Sequence, residues 1–431
     1  MLGRSKSYVW NSFWMVLEKV LRLFSGIVAA VLLARYLGPA GYGDLNYIIA
    51  YVAIFLPLAE FGMSSILVRD LILFRKEESK FLGSSFYLML FFSLLSIMIL
   101  NGIKGLIVTD DPLNNLILIY SLILFFKPFD MIDFYFQSKV KAKISSIAKS
   151  IALIISLSAK LYFIFIEASF TYLLYAFLLE YMVTALFLIY FYFSQKNVRF
   201  FMFFEKAIVF KLIKSAWPML LSSISVILYM RIDQIMLKNM VSSRELGLYS
   251  SSIRLYEGYV SLIIVLTISL MPAIMALKQS SEIKYKEGIT KLFSLVFWGN
   301  NLVALILTFL SPFIIDFLYG EEYSGSYVVF AIIFWASSFA SMGSITARYL
   351  VIENKERKQA LRTFVALLAN VVINLFLIPL YGKEGAAVAT LISLFLGNYL
   401  TDVLDKDMKD LLRMKNNAIL FRFNMVSKKI I

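Results

Sequence analysis

An all-α integral membrane protein, with about twelve transmembrane helices in two sets of six, is the fold class that the sequence predicts. Three observations carry that expectation. First, 60% of the 431 residues are hydrophobic and only 16% are charged, with a mean hydropathy of +0.80. Soluble domains are about 45–50% apolar and about 25% charged. The excess apolar surface is more than a soluble fold of this length buries, so lipid is its natural solvent. Second, the apolar residues fall into runs of about 20, the length that spans a bilayer. Third, lysine and arginine concentrate in every other loop.

The predicted spans follow one another with short breaks. The first four run over Trp10–Ala34, Asp44–Leu67, Phe81–Ile103 and Asn114–Gln137. Ser150–Ile166 and Tyr172–Phe193 complete the first set. The second set comprises Ser215–Leu237, Leu248–Leu277, Leu292–Leu318, Tyr327–Ile352, Thr363–Tyr381 and Ala386–Leu404. Between the sets lies the longest internal polar stretch. The predicted organisation is therefore an N-terminal six-helix lobe over 1–195, a cytoplasmic linker over 196–214, a C-terminal six-helix lobe over 215–404 and a basic cytoplasmic tail over 405–431. A weak internal echo supports duplication: Leu33–Gly43 reads LARYLGPAGYG and Leu237–Gly247 reads LKNMVSSRELG, each between the first two helices of its half. An even number of helices per half implies parallel repeats related by an axis along the membrane normal.

An even total also puts both termini on one side. Loops after even-numbered helices carry Arg69, Arg75, Lys76 and Lys80, then Lys139, Lys141, Lys143 and Lys149, and three later clusters of the same kind. Opposite loops hold only Arg35, Lys104, Lys238, Arg244 and Lys383. The positive-inside rule places the basic side, and so both termini, in the cytoplasm. The 42 basic against 28 acidic residues, a net charge of +14, then reflect cytoplasmic loops and anionic lipid rather than nucleic acid.

Composition narrows the chemistry. With no cysteine and no histidine, disulfides, thiolate nucleophiles and imidazole ligands are excluded, and no metal site is expected. No GxxxxGK[ST] loop occurs, which argues against an ATP-driven pump, and no large extramembrane segment exists to hold a catalytic site. The chain is expected not to be an enzyme and to carry no cofactor, with proton or sodium coupling as the open question. Any proton relay would run through Asp, Glu or Tyr.

Ionisable residues inside spans cost at least about 2.5–3.5 kcal/mol each on insertion scales, so they normally face a bundle interior. The first span carries Glu18, Lys19 and Arg22, the fourth Lys127, Asp130 and Asp133, the seventh Arg231 and Asp233, and the eighth Arg254 and Glu257. Spacing alone allows plain pairing: Glu18 with Arg22, Lys127 with Asp130, Arg254 with Glu257. Lys160 is expected to snorkel toward the headgroups. The functional alternative is that Arg231, Arg22, Lys19 and Arg254 line one cationic cavity and bind an anionic group, since a guanidinium donates to phosphate in pairs. Asp233, Glu257 and Glu18 are then either cation-coupling carboxylates or ion-pair partners. Asn370 and Asn374, four apart, are expected to hydrogen-bond between helices.

The segment LLARYLGPAGYGDLNY, followed by AIFLPLAEFGMSSILVRDL, resembles the N-terminal signature of bacterial polysaccharide flippases. These are the O-antigen (Wzx-type) transporters of the multidrug/oligosaccharidyl-lipid/polysaccharide (MOP) exporter superfamily. Arg231–Leu255, RIDQIMLKNMVSSRELGLYSSSIRL, and Gly382–Ser393, GKEGAAVATLIS, are similar to later parts of the same family. The resemblance implies two six-helix lobes around a cavity, and movement of a polyprenyl-diphosphate-linked oligosaccharide across the bacterial inner membrane by alternating access. It implies the lipid-linked oligosaccharide and membrane lipids as partners, a polysaccharide polymerase and chain-length regulator as associated proteins, and no nucleic acid. Arg231 and Asp233 match the family's RIDQ segment, and Lys19 and Arg22 fall on its cavity-lining first helix. Peptidoglycan-precursor flippases carry two further C-terminal helices, which the polar tail after Leu404 does not supply. The competing expectation is a multidrug/cation antiporter of the same superfamily, which would want an acidic pocket; a membrane glycosyl polymerase is a third class.

Overall fold

The computed structural model describes residues 2–107, 113–195 and 199–422, and every regular element among them is helical. The start of the predicted linker (196–198) and the end of the predicted tail (423–431) lie outside the described residues. The chain forms two compact units, Met1–Tyr36 with Tyr47–Arg231, and Leu37–Asn46 with Ile232–Ile431.

In the first unit, α1 (Leu2–Ala53) breaks at Gly38, whose φ of +64° only glycine adopts without strain, with Pro39 behind it. The second leg continues through α2 (Leu56–Glu60) and α3 (Met63–Leu73). Pro57 starts α2, and Phe61 and Gly62 stop it in left-handed conformations. Then come α4 (Glu78–Ile107), α5 (Leu113–Ser121), α6 (Ile123–Phe126), α7 (Asp130–Ser138), α8 (Ala142–Phe165) and α9 (Phe170–Ser194). The last helix to join this unit is α10 (Lys206–Met240). It presses on Gly62, where a Cβ would stand 2.7 Å from the Leu220 backbone nitrogen.

The predicted linker is thus mostly structured. Phe200–Met202 forms a 3-10 turn on α4, with Gly83 so close that a Cβ there would meet the Phe203 carbonyl oxygen at 1.8 Å. The helix expected from Ser215 begins at Lys206. Its early turns bury Ile208, Leu212, Ala216 and Leu220, a four-residue spacing that keeps one apolar face through a stretch whose other faces are basic.

In the second unit, α11 (Ser243–Ser280) starts on a Ser242 side chain that accepts the Glu245 N–H at 3.2 Å, and α12 (Glu282–Tyr319) starts on Ser281 in the same way. After α13 (Tyr327–Ile352), α14 (Glu356–Phe395) turns back on itself at Gly382, φ +54°. Asn370 on its first leg therefore reaches Ser393 on its second at 3.4 Å. A π-turn over Leu396–Leu400, the short α15 (Thr401–Leu404) and α16 (Lys409–Ile419) finish the chain. Here the structure differs from the expected polar tail: Met408, Leu411, Met414 and Ala418 are buried in the core with Phe293 and Met342.

Among the described residues, nine stretches are long and apolar enough to cross a membrane. The last of them, Glu356–Leu404, supplies two legs by its turn at Gly382, and α1 to α3 supply the first two. The result is the twelve-legged, multi-pass architecture that the sequence predicts.

The segment 37–46 packs within the second unit through its glycines. A Cβ on Gly43 would stand 1.8 Å from the Ser243 carbonyl oxygen, and one on Gly247 1.7 Å from that of Pro39. These are the two hairpins that echo each other in sequence, and the contact is reciprocal at matching positions. Substituting Gly43→Ala or Gly247→Ala therefore forces backbone apart and costs about 1–3 kcal/mol. Gly299→Ala, mid-helix with open space around it, gains up to about 1 kcal/mol. Thermal unfolding of the three detergent-solubilised variants should rank them in that order.

Candidate functional site

The ionisable residues of the spans gather in two places. In the first unit, Arg22 donates from Nε to Glu18 (2.8 Å) and from Nη1 to Glu180 (2.7 Å). Its side chain remains 45% exposed, and Nη2 is uncommitted among the described residues. Lys160 approaches the other Glu180 oxygen at 4.0 Å and lies 3.7 Å from the centre of the Phe177 ring. It is buried, contrary to the snorkelling expected of it, because a carboxylate and an aromatic face await it inside. Arg231 and Glu180 both lie within electrostatic reach of the buried Tyr120 hydroxyl. The structure thus brings Arg22, Glu18 and Arg231 into one region, although they are some two hundred residues apart in sequence. Lys19, one residue from Glu18, is exposed.

Charge is balanced locally rather than cationic throughout. Two carboxylates, Glu18 and Glu180, face Arg22 and Lys160. Deeper in the unit Lys127 pairs with Asp130, as its spacing allows, and also stands 3.6 Å from Glu60. Lys149 bonds Asp133 at 2.5 Å, and Gln137 donates to the same carboxylate at 3.0 Å. The Glu60–Lys127 and Asp133–Lys149 contacts join residues of different helices, and no spacing rule announces them.

The second unit holds Asp233, Arg254 and Glu257. Asp233 is buried and accepts from the Tyr249 hydroxyl and, at 2.8 Å, from the Gln234 N–H. Tyr249 also lies 3.5 Å from the Thr390 hydroxyl. The polar run continues through Asn370, which donates to Thr390 and Ser393, and Asn374, which donates to Asn370 at 3.0 Å. The Asn374 carbonyl oxygen is buried with no hydrogen-bond partner among the described residues. Asn370 links the legs of α14, as expected, whereas Asn374 bonds to Asn370 within its own leg. Tyr249 and Thr390 escaped sequence reasoning because isolated hydroxyls in spans are common. Arg254, 41% exposed, stands 4.0 Å from Glu257, and both act electrostatically on the buried Tyr42 hydroxyl.

The comparisons with known proteins follow this geometry. The profile of a family described as "Polysaccharide biosynthesis protein" matches residues 9–278. No curated protein matches the sequence. Among solved structures, the fold is similar to that of the lipid II flippase MurJ in an inward closed conformation, at 18% identity and a TM-score of 0.72, covering 96% of this chain and 92% of that one. It is also similar to an inward-facing multidrug resistance MATE family transporter of the MOP superfamily, at 14% identity and a TM-score of 0.65, covering 95% and 96%. A MOP superfamily transporter from Pyrococcus furiosus, described by the reversed polarity of its binding pocket, aligns at 14% identity and a TM-score of 0.59, covering 96% of each chain. These likenesses show a shared fold.

The half-buried triad around Lys127 gives a direct test. Lys127→Met leaves Glu60 and Asp130 near each other without a cation, which costs about 1–3 kcal/mol. The variant should melt several degrees lower in detergent, and Lys127→Arg should recover most of the loss. A Lys127→Met variant as stable as the parent would contradict the pairing.

Proposed function

Because the chain belongs to the polysaccharide biosynthesis protein family, we propose that it is a flippase for a polyprenyl-diphosphate-linked oligosaccharide repeat unit of O-antigen or a related surface polysaccharide. It works in the bacterial inner membrane with both termini in the cytoplasm, by alternating access. The family match over 9–278, on a transporter fold, carries the reading. The site chemistry supports it. Arg22 and Arg254 sit in membrane helices, each positioned by an acidic neighbour and each nearly half exposed. Such a guanidinium is held in place by its carboxylate and keeps donors for a second anion, and a diphosphate offers the matching oxygens. In the first unit, Arg231 and the exposed Lys19 add two further cations in the region of Arg22. The polyprenyl chain stays in lipid while the sugars cross beside polar side chains. A polysaccharide polymerase and chain-length regulator are the proposed partners after translocation.

Coupling, where it operates, is assigned to Asp233. Its carboxylate, which accepts from Tyr249 with the Thr390 hydroxyl 3.5 Å from that tyrosine, offers oxygen to a sodium ion or a site for a proton. Glu18 and Glu257 serve instead as partners of Arg22 and Arg254.

The antiporter alternative wants an acidic pocket free to take an organic cation, and the acids beside both exposed arginines are already engaged. A deletion strain separates the two readings: a flippase deletion accumulates one lipid-linked repeat unit, an antiporter deletion becomes drug-sensitive. Complementation with Arg22→Ala or Arg231→Ala should fail by tenfold or more in surface polymer at normal membrane levels of the protein, whereas full complementation by both would refute their role. Asp233→Asn should lose dependence on the ion gradient while still inserting.

A further inference from the structure

The end of the chain holds a cluster that the transport reading does not use. Arg362 near the start of α14, Asp402 on α15 and Lys415 on α16 meet in the interior, and their side chains are 4%, 0% and 0% exposed. Lys415 Nζ donates to Asp402 Oδ2 at 2.6 Å and to the Asn398 carbonyl at 2.5 Å. Arg362 Nη2 donates to the same Oδ2 at 3.0 Å and to the same carbonyl at 3.2 Å, and its Nε reaches the Gly397 carbonyl at 3.2 Å. Both carbonyls belong to the π-turn Leu396–Leu400. π-turns interrupt the regular ladder and leave carbonyls to be satisfied from outside. That turn is wedged tightly: a Cβ on Gly343 of α13 would meet the Asn398 side chain at 2.4 Å, and one on Gly397 would meet Ala366 at 2.6 Å.

Two cations share one carboxylate here, so with both charged the cluster holds a net positive charge away from water. Burial penalises an uncompensated ion heavily, and the usual relief is loss of a proton. Arginine does not give one up, and lysine does. The hydrogen bonds fit that outcome. A neutral amine has two N–H donors, and Lys415 has two oxygen acceptors.

We propose that α16 is a latch that clamps the π-turn of the last membrane leg through Lys415, and that it docks most tightly when Lys415 is uncharged. It lies at the end that the loop charges assign to the cytoplasm. The other charged groups around the dock are already engaged. Lys286 of α12 bonds Asp410 of α16 at 2.8 Å and stands 3.7 Å from Glu282. Lys358 of α14 bonds Asp405 and Asp407, and Tyr399 of the π-turn donates to Asn416. Lys409 and Arg413 point outward as exposed residues. Burial accordingly pushes the Lys415 amine down to about 7. The docked value lies below the ordinary lysine value, so docking releases a proton. Docking therefore strengthens as pH rises from about 7 toward 10 and is weakest at and below neutrality.

The absence of native cysteine makes the test clean. In the full-length protein in membranes, Ala418→Cys places a thiol on the buried face of α16, and Lys409→Cys places one on its exposed face as a reference for thiol ionisation. The maleimide labelling rate of the first relative to the second should fall by about fivefold or more between pH 6.5 and 9. In a Lys415→Met background the ratio should stay low and flat with pH. The proposal is overturned by a pH-independent ratio in the parent, by a pH-dependent one with Lys415→Met, or by a Lys415→Met ratio above the parent's at pH 6.5. The parent comparison leaves Lys415 in place, so it decides even if the Met variant misfolds.

Discussion

The constraint on which the structure depends is that an ion inside an apolar bundle needs a counter-ion or a hydrogen-bonded cage. The helices of this chain carry lysine, arginine and carboxylate within their spans, and these groups pair with one another where helices pack. Glu180 holds Arg22 and approaches Lys160, and Lys127 stands between Asp130 and Glu60. The Glu180–Arg22 and Glu60–Lys127 contacts tie together helices that the sequence separates widely. The pairing also shapes what the site offers: an arginine anchored by carboxylates is a stiff donor, whereas one on a free stem would collapse onto the nearest acid.

Much of the fold was legible in the residues. The spans and their number follow from run length, and the turns at Gly38 and Gly382 fall in the gaps between predicted spans. The short-range pairs at Glu18–Arg22 and Lys127–Asp130 follow from helical spacing. The long-range partners did not, because Glu180 and Glu60 acquire theirs only when distant helices pack. Lys160 was misjudged for the same reason: a lone lysine in a span reads as a snorkelling one until a glutamate on another helix turns up beside it. In the linker the basic residues mask a short buried face, Ile208 and Leu212, which only packing reveals.

The tail repeats this lesson at shorter range. Leu411, Met414 and Ala418 form an apolar stripe with helical spacing, and Lys415 falls on it. A lysine on the buried face of an amphipathic helix is the signal that composition hid, since the tail's average is polar. The reciprocal glycine contact between the two hairpins is a parallel case: the sequence echo between Leu33–Gly43 and Leu237–Gly247 was weak, yet its matching positions meet backbone to backbone.

Whether the anchored arginines serve a diphosphate is settled most directly by transport. Purified protein in liposomes would be given a short-chain fluorescent polyprenyl-diphosphate disaccharide, and its movement between leaflets read by protection from a membrane-impermeant quencher. The account predicts protein-dependent translocation that a monophosphate analogue supports far less well. Equal movement of both analogues, or no movement of either alongside uptake of a cationic dye, would contradict it.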